Sequence, residues 1–215
     1  MKYKKTLLSL LGILLSASIL LSGCSGRKIT DAKQAVAYLF ESAQKADADA
    51  LEEAVGNKKQ LDIKKVLQDE NYREVLETLL SQLVYTVGEP VLDQQNDNIA
   101  TVPVVYTYAD VGDIYQQAYT DKLQDNMSEE EKTALKKEAS QAIQDAIDNA
   151  SVSFKETNLE LTAVKVYGSW YVSIPDELEE QLSAGILRGL AQSHQTDASA
   201  DVSAASQRTP RYDIA

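Results

Sequence analysis

Most of the chemistry this sequence can offer lies between positions 106 and 119, in a run of tyrosines with one carboxylate among them. Tyr106, Tyr108 and Asp110 alternate along a segment rich in Val, Thr and Tyr. On a strand, alternate residues share one face. A tyrosine hydroxyl beside a carboxyl in an apolar setting can donate to a developing enolate and stabilise it. Tyr115 and Tyr119 follow at helical spacing. The plainer reading is packing, with the rings half-buried in sheet and helix and the hydroxyls in water. No convergent base can be named from the sequence, so Tyr106, Tyr108 and Asp110 stand as a candidate pocket with no catalytic residue assigned.

Other reactive groups are scarce. The only histidine is His194, within a segment of Ser, Ala, Asp and Gln, and the only cysteine is Cys24. A zinc site or a histidine-based triad needs more than this. One cysteine permits no intramolecular disulfide. Asp93, Asn96, Asp97 and Asn98 gather oxygen ligands, but the glycine and the bidentate glutamate of a calcium loop are missing, so a hairpin turn is expected. Trp170 alternates with Val172 and Ile174 and reads as core. Neither a metal nor a cofactor is expected. The formal net charge is −12. A surface so acidic repels phosphate backbones, which excludes nucleic acid as a partner.

Cys24 has a setting of its own. Lys2, Lys4 and Lys5 precede an almost wholly apolar stretch from Thr6 to Leu21, and Ser22, Gly23 and Cys24 follow. A basic start, an apolar run and small residues are the order of a secretory signal. Leu21-Ser22-Gly23-Cys24 resembles the lipobox of bacterial lipoproteins. The resemblance implies diacylglycerol on the Cys24 thiol, cleavage just before it, and palmitate-type acylation. Two acyl chains anchor stably where one does not. The protein is then expected at the cell membrane, lipid-anchored on the extracytoplasmic face. An uncleaved transmembrane helix is the competing reading, but the apolar run falls a little short of the roughly 20 residues a span needs.

The elements that would position the tyrosines follow from periodicity. Ala32, Ala35, Val36, Leu39, Phe40 and Ala43 recur at helical spacing. A short second helix ends at Gly56, a natural C-terminal cap. A helical stretch from about 61 to 84 breaks at Asp69-Glu70-Asn71. Strand character then takes over, and Ile99–Tyr108 is expected at an edge or with a bulge, because Pro103 has no N–H to donate. Between Gly112 and Ala150 the helical period returns, with Ser128 and Glu131 forming a capping box. Strands are expected over Val152–Val166 and Trp170–Ile174, with a tight turn between them. A final helix opens after Pro175, and its glutamates, like Glu129 to Glu131, favour the helix dipole. The chain divides into a signal peptide over 1–23, a tether over 24–29, one domain over 30–190 and a tail over 191–215 too polar to bury a core.

This is an α+β pattern: a curved antiparallel sheet packed on N-terminal helices, with an inserted helical excursion. Ala35-Val36-Ala37-Tyr38-Leu39-Phe40, the short helix from Asp49 to Gly56 and the closing Gly168-Ser169-Trp170-Tyr171-Val172 resemble the cone-like fold of nuclear transport factor two-like domains. The likeness spans Thr30 to Ile174. It is shared with lipoproteins of Gram-positive bacteria that carry the same lipobox. The excursion from Gly112 to Ala150 departs from the basic pattern, and such a helix pair can cap the cone. The fold hosts both enzymes and binding modules. The leading expectation is a non-enzymatic module held to the membrane through the lipid on Cys24, meeting an envelope protein or a small ligand. The alternatives are a small-molecule enzyme or carrier with a tyrosine-lined cone pocket, and a domain that only spaces an envelope complex.

Overall fold

The computed structural model describes residues 28–56 and 60–190. The expected signal segment, Cys24, His194 and the tail lie outside the described residues.

Helix α1 (Ala32–Gln44) begins where Asp31 accepts the Gln34 N–H at 3.0 Å. This satisfies one of the donors every helix start leaves open. The apolar stripe anticipated from its spacing is real, since Ala35, Val36, Leu39, Phe40 and Ala43 are fully buried. Burying Val36, Leu39 and Phe40 contributes roughly 5–9 kcal/mol, at about 1.5–3 kcal/mol for each large side chain. Helix α2 (Ala48–Ala54) is capped by Asp47 and gives way to Gly56 at φ +75°. Helices α3 (Asp62–Gln68) and α4 (Arg73–Ser81) are separated at Asp69. The Asp69 carboxylate accepts both the backbone and the side-chain N–H of Asn71, which turns the chain there.

Strands β1 (Val84–Val87), β2 (Val91–Leu92), β3 (Ile99–Asp110), β4 (Ser153–Val166) and β5 (Ser169–Ser173) form one antiparallel sheet. The order is β1-β3-β4-β5, with β2 on the same side of β3 as β1. Of the expected alternatives, an edge position or a bulge, the edge is corrected, because β3 is an inner strand paired on both sides, while three residues, 88–90, stand opposite Val102 and Pro103 where the neighbouring ladder slips by one. Pro103 is tolerated for a local reason. Its carbonyl accepts the Gly88 N–H at 2.8 Å. The nitrogen and oxygen of one strand residue face the same neighbour. The missing donor therefore points at residues 88–90, where the edge ladder is interrupted between β1 and β2. Gly88 is required at that approach, since a Cβ there would stand 2.7 Å from the Pro103 ring.

Even-numbered positions of β3 from Ala100 to Tyr106 face the helices and are buried. Pro103, Val105, Glu156 and Glu160 lie on the opposite, exposed face. Helix α1 crosses the buried face and touches β1, β3, β4 and β5. The excursion holds α5 (Gly112–Ala118), a 3-10 turn (Thr120–Lys122) and α6 (Glu129–Asp148). The capping box forms as its spacing demanded, with Ser128 and Glu131 each satisfying the other's backbone. Helix α6 packs on α5 and α4 through Leu135, Ala139 and Ile143. Helix α7 (Asp176–Leu182) lies against β3 and α3. Gly185, at φ +84°, then separates α7 from a further helical turn over residues 186–190.

Candidate functional site

The candidate residues leave the end of β3 in one direction but reach three different settings. Tyr106 is buried in the core, its ring 5.1 Å from that of Phe40, which itself stacks 5.2 Å from Tyr85. Its hydroxyl donates to Gln181 Oε1 on α7. Burial, with the Glu177 carboxylate and Tyr108 adding to it, pushes that hydroxyl far above the ordinary tyrosine range.

Tyr108 lies one step nearer the rim, its ring 6.1 Å from that of Tyr106. It lines a cleft of about 150 Å³ with Asp110, Lys155, Glu177, Glu180 and Arg188. Asp110 is fully engaged. Its Oδ2 holds the Lys155 ammonium, and its Oδ1 accepts from Arg188 Nη2 at 3.2 Å and from the Gly112 N–H at 3.0 Å. Burial raises the carboxyl's pKa. The Lys155 hydrogen bond, the Gly112 N–H and the Arg188 charge outweigh that, and the group titrates below the usual carboxylate range. Arg188 also reaches Glu180 at 3.2 Å. Asp110 thus clamps the end of β3, the strand beside it and the turn after α7. The Val111 N–H, donating to the Ala184 carbonyl at 2.9 Å, closes the same junction through the backbone.

The other tyrosines form a second cluster. The Tyr72 hydroxyl donates to that of Tyr115 at 3.3 Å, and the Tyr115 ring lies 5.3 Å from that of Tyr119. Burial is the first cause raising the pKa of both Tyr72 and Tyr115. Asp69, bonded to Lys136 at 2.7 Å, ties the α3–α4 break to α6 just outside.

Sequence reasoning missed three participants. Lys155 and Arg188 lie 45 and 78 residues from Asp110, and no short-range spacing announces them. Glu179 reads as a dipole-favouring residue in a first turn. It is in fact 3% exposed and accepts the Asp62 N–H at 2.7 Å, so it caps the start of α3 from another helix. Its place on the apolar side of α7, one residue after Leu178, was the available signal. Trp170 is core, as its alternation indicated.

Among the described residues no group of three His, Cys, Asp or Glu side chains is arranged to hold a metal ion. Among the same residues no helix is long and apolar enough to cross a membrane. No protein-family model, curated protein or solved structure matches the chain. The site therefore rests on its own geometry. That geometry is a core hydroxyl, a cleft ring and an ion-paired carboxylate that do not converge on one point.

Proposed function

We propose that the chain is a lipoprotein held by a lipid on Cys24 to the extracytoplasmic face of the cell membrane. There it acts as a non-enzymatic module that binds an envelope protein or a small ligand. The observation that carries this reading is the junction between the signal-like segment and the fold. The Lys2-Lys4-Lys5 start, the apolar run and Leu21-Ser22-Gly23-Cys24 end five residues before Ile29. Ile29 is already fixed in the domain, with its N–H on Ser169 Oγ at 3.1 Å and its carbonyl on the Trp170 N–H at 2.8 Å. Five residues extend at most about 18 Å. A tether of that length holds the domain against the surface that carries the lipid.

Binding is favoured over catalysis by the prior engagement of the polar groups. The Asp110 oxygens are held by two cations and a backbone N–H, and the Tyr106 hydroxyl by Gln181. General acid–base work needs a group poised to give or take a proton. An amphipathic first helix lying across a curved antiparallel sheet supports the likeness to nuclear transport factor two-like domains.

Metabolic labelling with palmitate, followed by membrane fractionation, tests the anchor. The wild-type chain is expected to carry label and sediment with membranes, and Cys24→Ala to do neither. Unlabelled wild-type protein that stays in membranes would point instead to an uncleaved span.

A further inference from the structure

The hairpin between β4 and β5 contains a residue whose conformation the fold does not explain. Tyr167 and Gly168 are its two central residues, at φ +50° and +81°. Both positions are left-handed, as a type I′ turn demands. Asn, Asp or Gly suits the first of them, and a bulky side chain there is strained. Tyr167 is also fully exposed, at 102%. A large ring is held in water in an unfavourable backbone conformation, and burial within the domain does not offset the strain.

The surroundings of this tip give the ring a use. Ile29 is bonded to Ser169 and Trp170, the first two residues after the turn, so the N-terminal segment leaves the domain at this hairpin. The exit fixes which end of the domain faces whatever holds Cys24. Lys28 lies against Gly168, its Nζ 3.4 Å from where a Cβ would stand. Lys165 Nζ lies 5.8 Å from the Trp170 ring centroid. Along β5 from the tip runs an apolar groove of about 260 Å³, lined by Val55, Val164, Val166 and Tyr171 among others. An exposed aromatic ring, flanking lysines and an adjoining apolar groove are the groups that settle at the boundary between headgroups and acyl chains.

We propose that the β4–β5 tip is a membrane-contact site, with Tyr167 seated in the lipid headgroup region. This rests on the lipid-anchor reading of Cys24. Asp93 and Asp97 stand in the neighbouring β2–β3 turn, which is joined to β4 by the Lys165 N–H on the Asn98 carbonyl at 2.7 Å. Asp93 and Asp97 match the charges of Lys28 and Lys165, and the attraction is therefore interfacial and apolar, independent of anionic lipid.

Trp170 is the sole tryptophan and sits three residues from Tyr167, so its emission reports on this end alone. The lipidated full chain is reconstituted with phosphatidylcholine vesicles, either plain or carrying a nitroxide quencher on the headgroup. The nitroxide quenches only at short range, at the depth proposed for the tip. Wild-type protein is expected to float with the vesicles and to lose Trp170 emission on the nitroxide-bearing ones. Tyr167→Asn preserves the turn and is expected to float equally, with a smaller loss. Cys24→Ala is expected neither to float nor to be quenched. Wild-type protein that floats with unquenched Trp170, or Tyr167→Asn quenched as strongly as wild type, overturns the contact site and leaves the anchor standing. Wild-type protein that does not float overturns the anchor and the contact site together.

Discussion

Replacing Asp110 separates what its charge does from what its shape does. Asp110→Asn keeps an oxygen for the Gly112 N–H, 3.0 Å away, but gives up the charge that faces Lys155 and Arg188. Those cations are 53% and 41% exposed, so they regain water readily and the charge loss is screened. We expect Asp110→Asn to cost about 1 kcal/mol. Asp110→Ala also strips the Gly112 N–H of a charged acceptor, and the total rises to about 2–3 kcal/mol. The assay is urea unfolding at pH 7, followed by Trp170 fluorescence. Its pH dependence carries a sign. The folded Asp110 carboxyl titrates below its unfolded value. Its stabilisation is therefore fully present above the ordinary carboxylate pKa of about 3.9 and fades as pH falls through the depressed folded value. The gap between wild type and Asp110→Asn should narrow in acid and in high salt. Equal midpoints at pH 7, or a gap that persists unchanged in acid, would refute the clamp.

Two other perturbations probe the remaining polar and aromatic contacts. Glu179→Ala leaves the Asp62 N–H without its acceptor and is expected to cost about 1–3 kcal/mol, with faster amide exchange at the start of α3; unchanged exchange there would show that the cap is dispensable. Tyr72, Tyr106 and Tyr115 have hydroxyl pKa values raised first by burial. Raised folded values give stability that is full below the unfolded tyrosine pKa of about 10 and is lost as pH rises beyond it. In an ultraviolet titration these three should ionise only as the protein unfolds, and free ionisation of all eleven tyrosines in the native state would contradict their burial.

The legible parts of the fold were those that depend on neighbours in sequence. The α1 stripe, the Asp69 break, the Ser128 capping box and the alternation around Trp170 all act over a few residues, and each appears where spacing puts it. The inner position of β3 was hidden because Pro103 argues for an edge. Its tolerance depends on a ladder gap at residues 88–90 that only the paired sheet reveals. The shared direction of Tyr106, Tyr108 and Asp110 could be read from the period of a strand. Their separation into core, cleft and ion pair could not, because Gln181, Lys155 and Arg188 arrive from distant segments. Tyr167-Gly168 was recognisable as a turn, but the strain at Tyr167 belongs to the backbone angle and has no signature in composition.

The central claim, that Cys24 carries a lipid and begins the mature chain, is met most directly by the intact mass of protein purified from membranes, beside Cys24→Ala. The account predicts a mass lacking residues 1–23 and bearing a diacylglyceryl group, with the adduct absent from the variant. An unmodified full-length mass for the wild-type chain would contradict it.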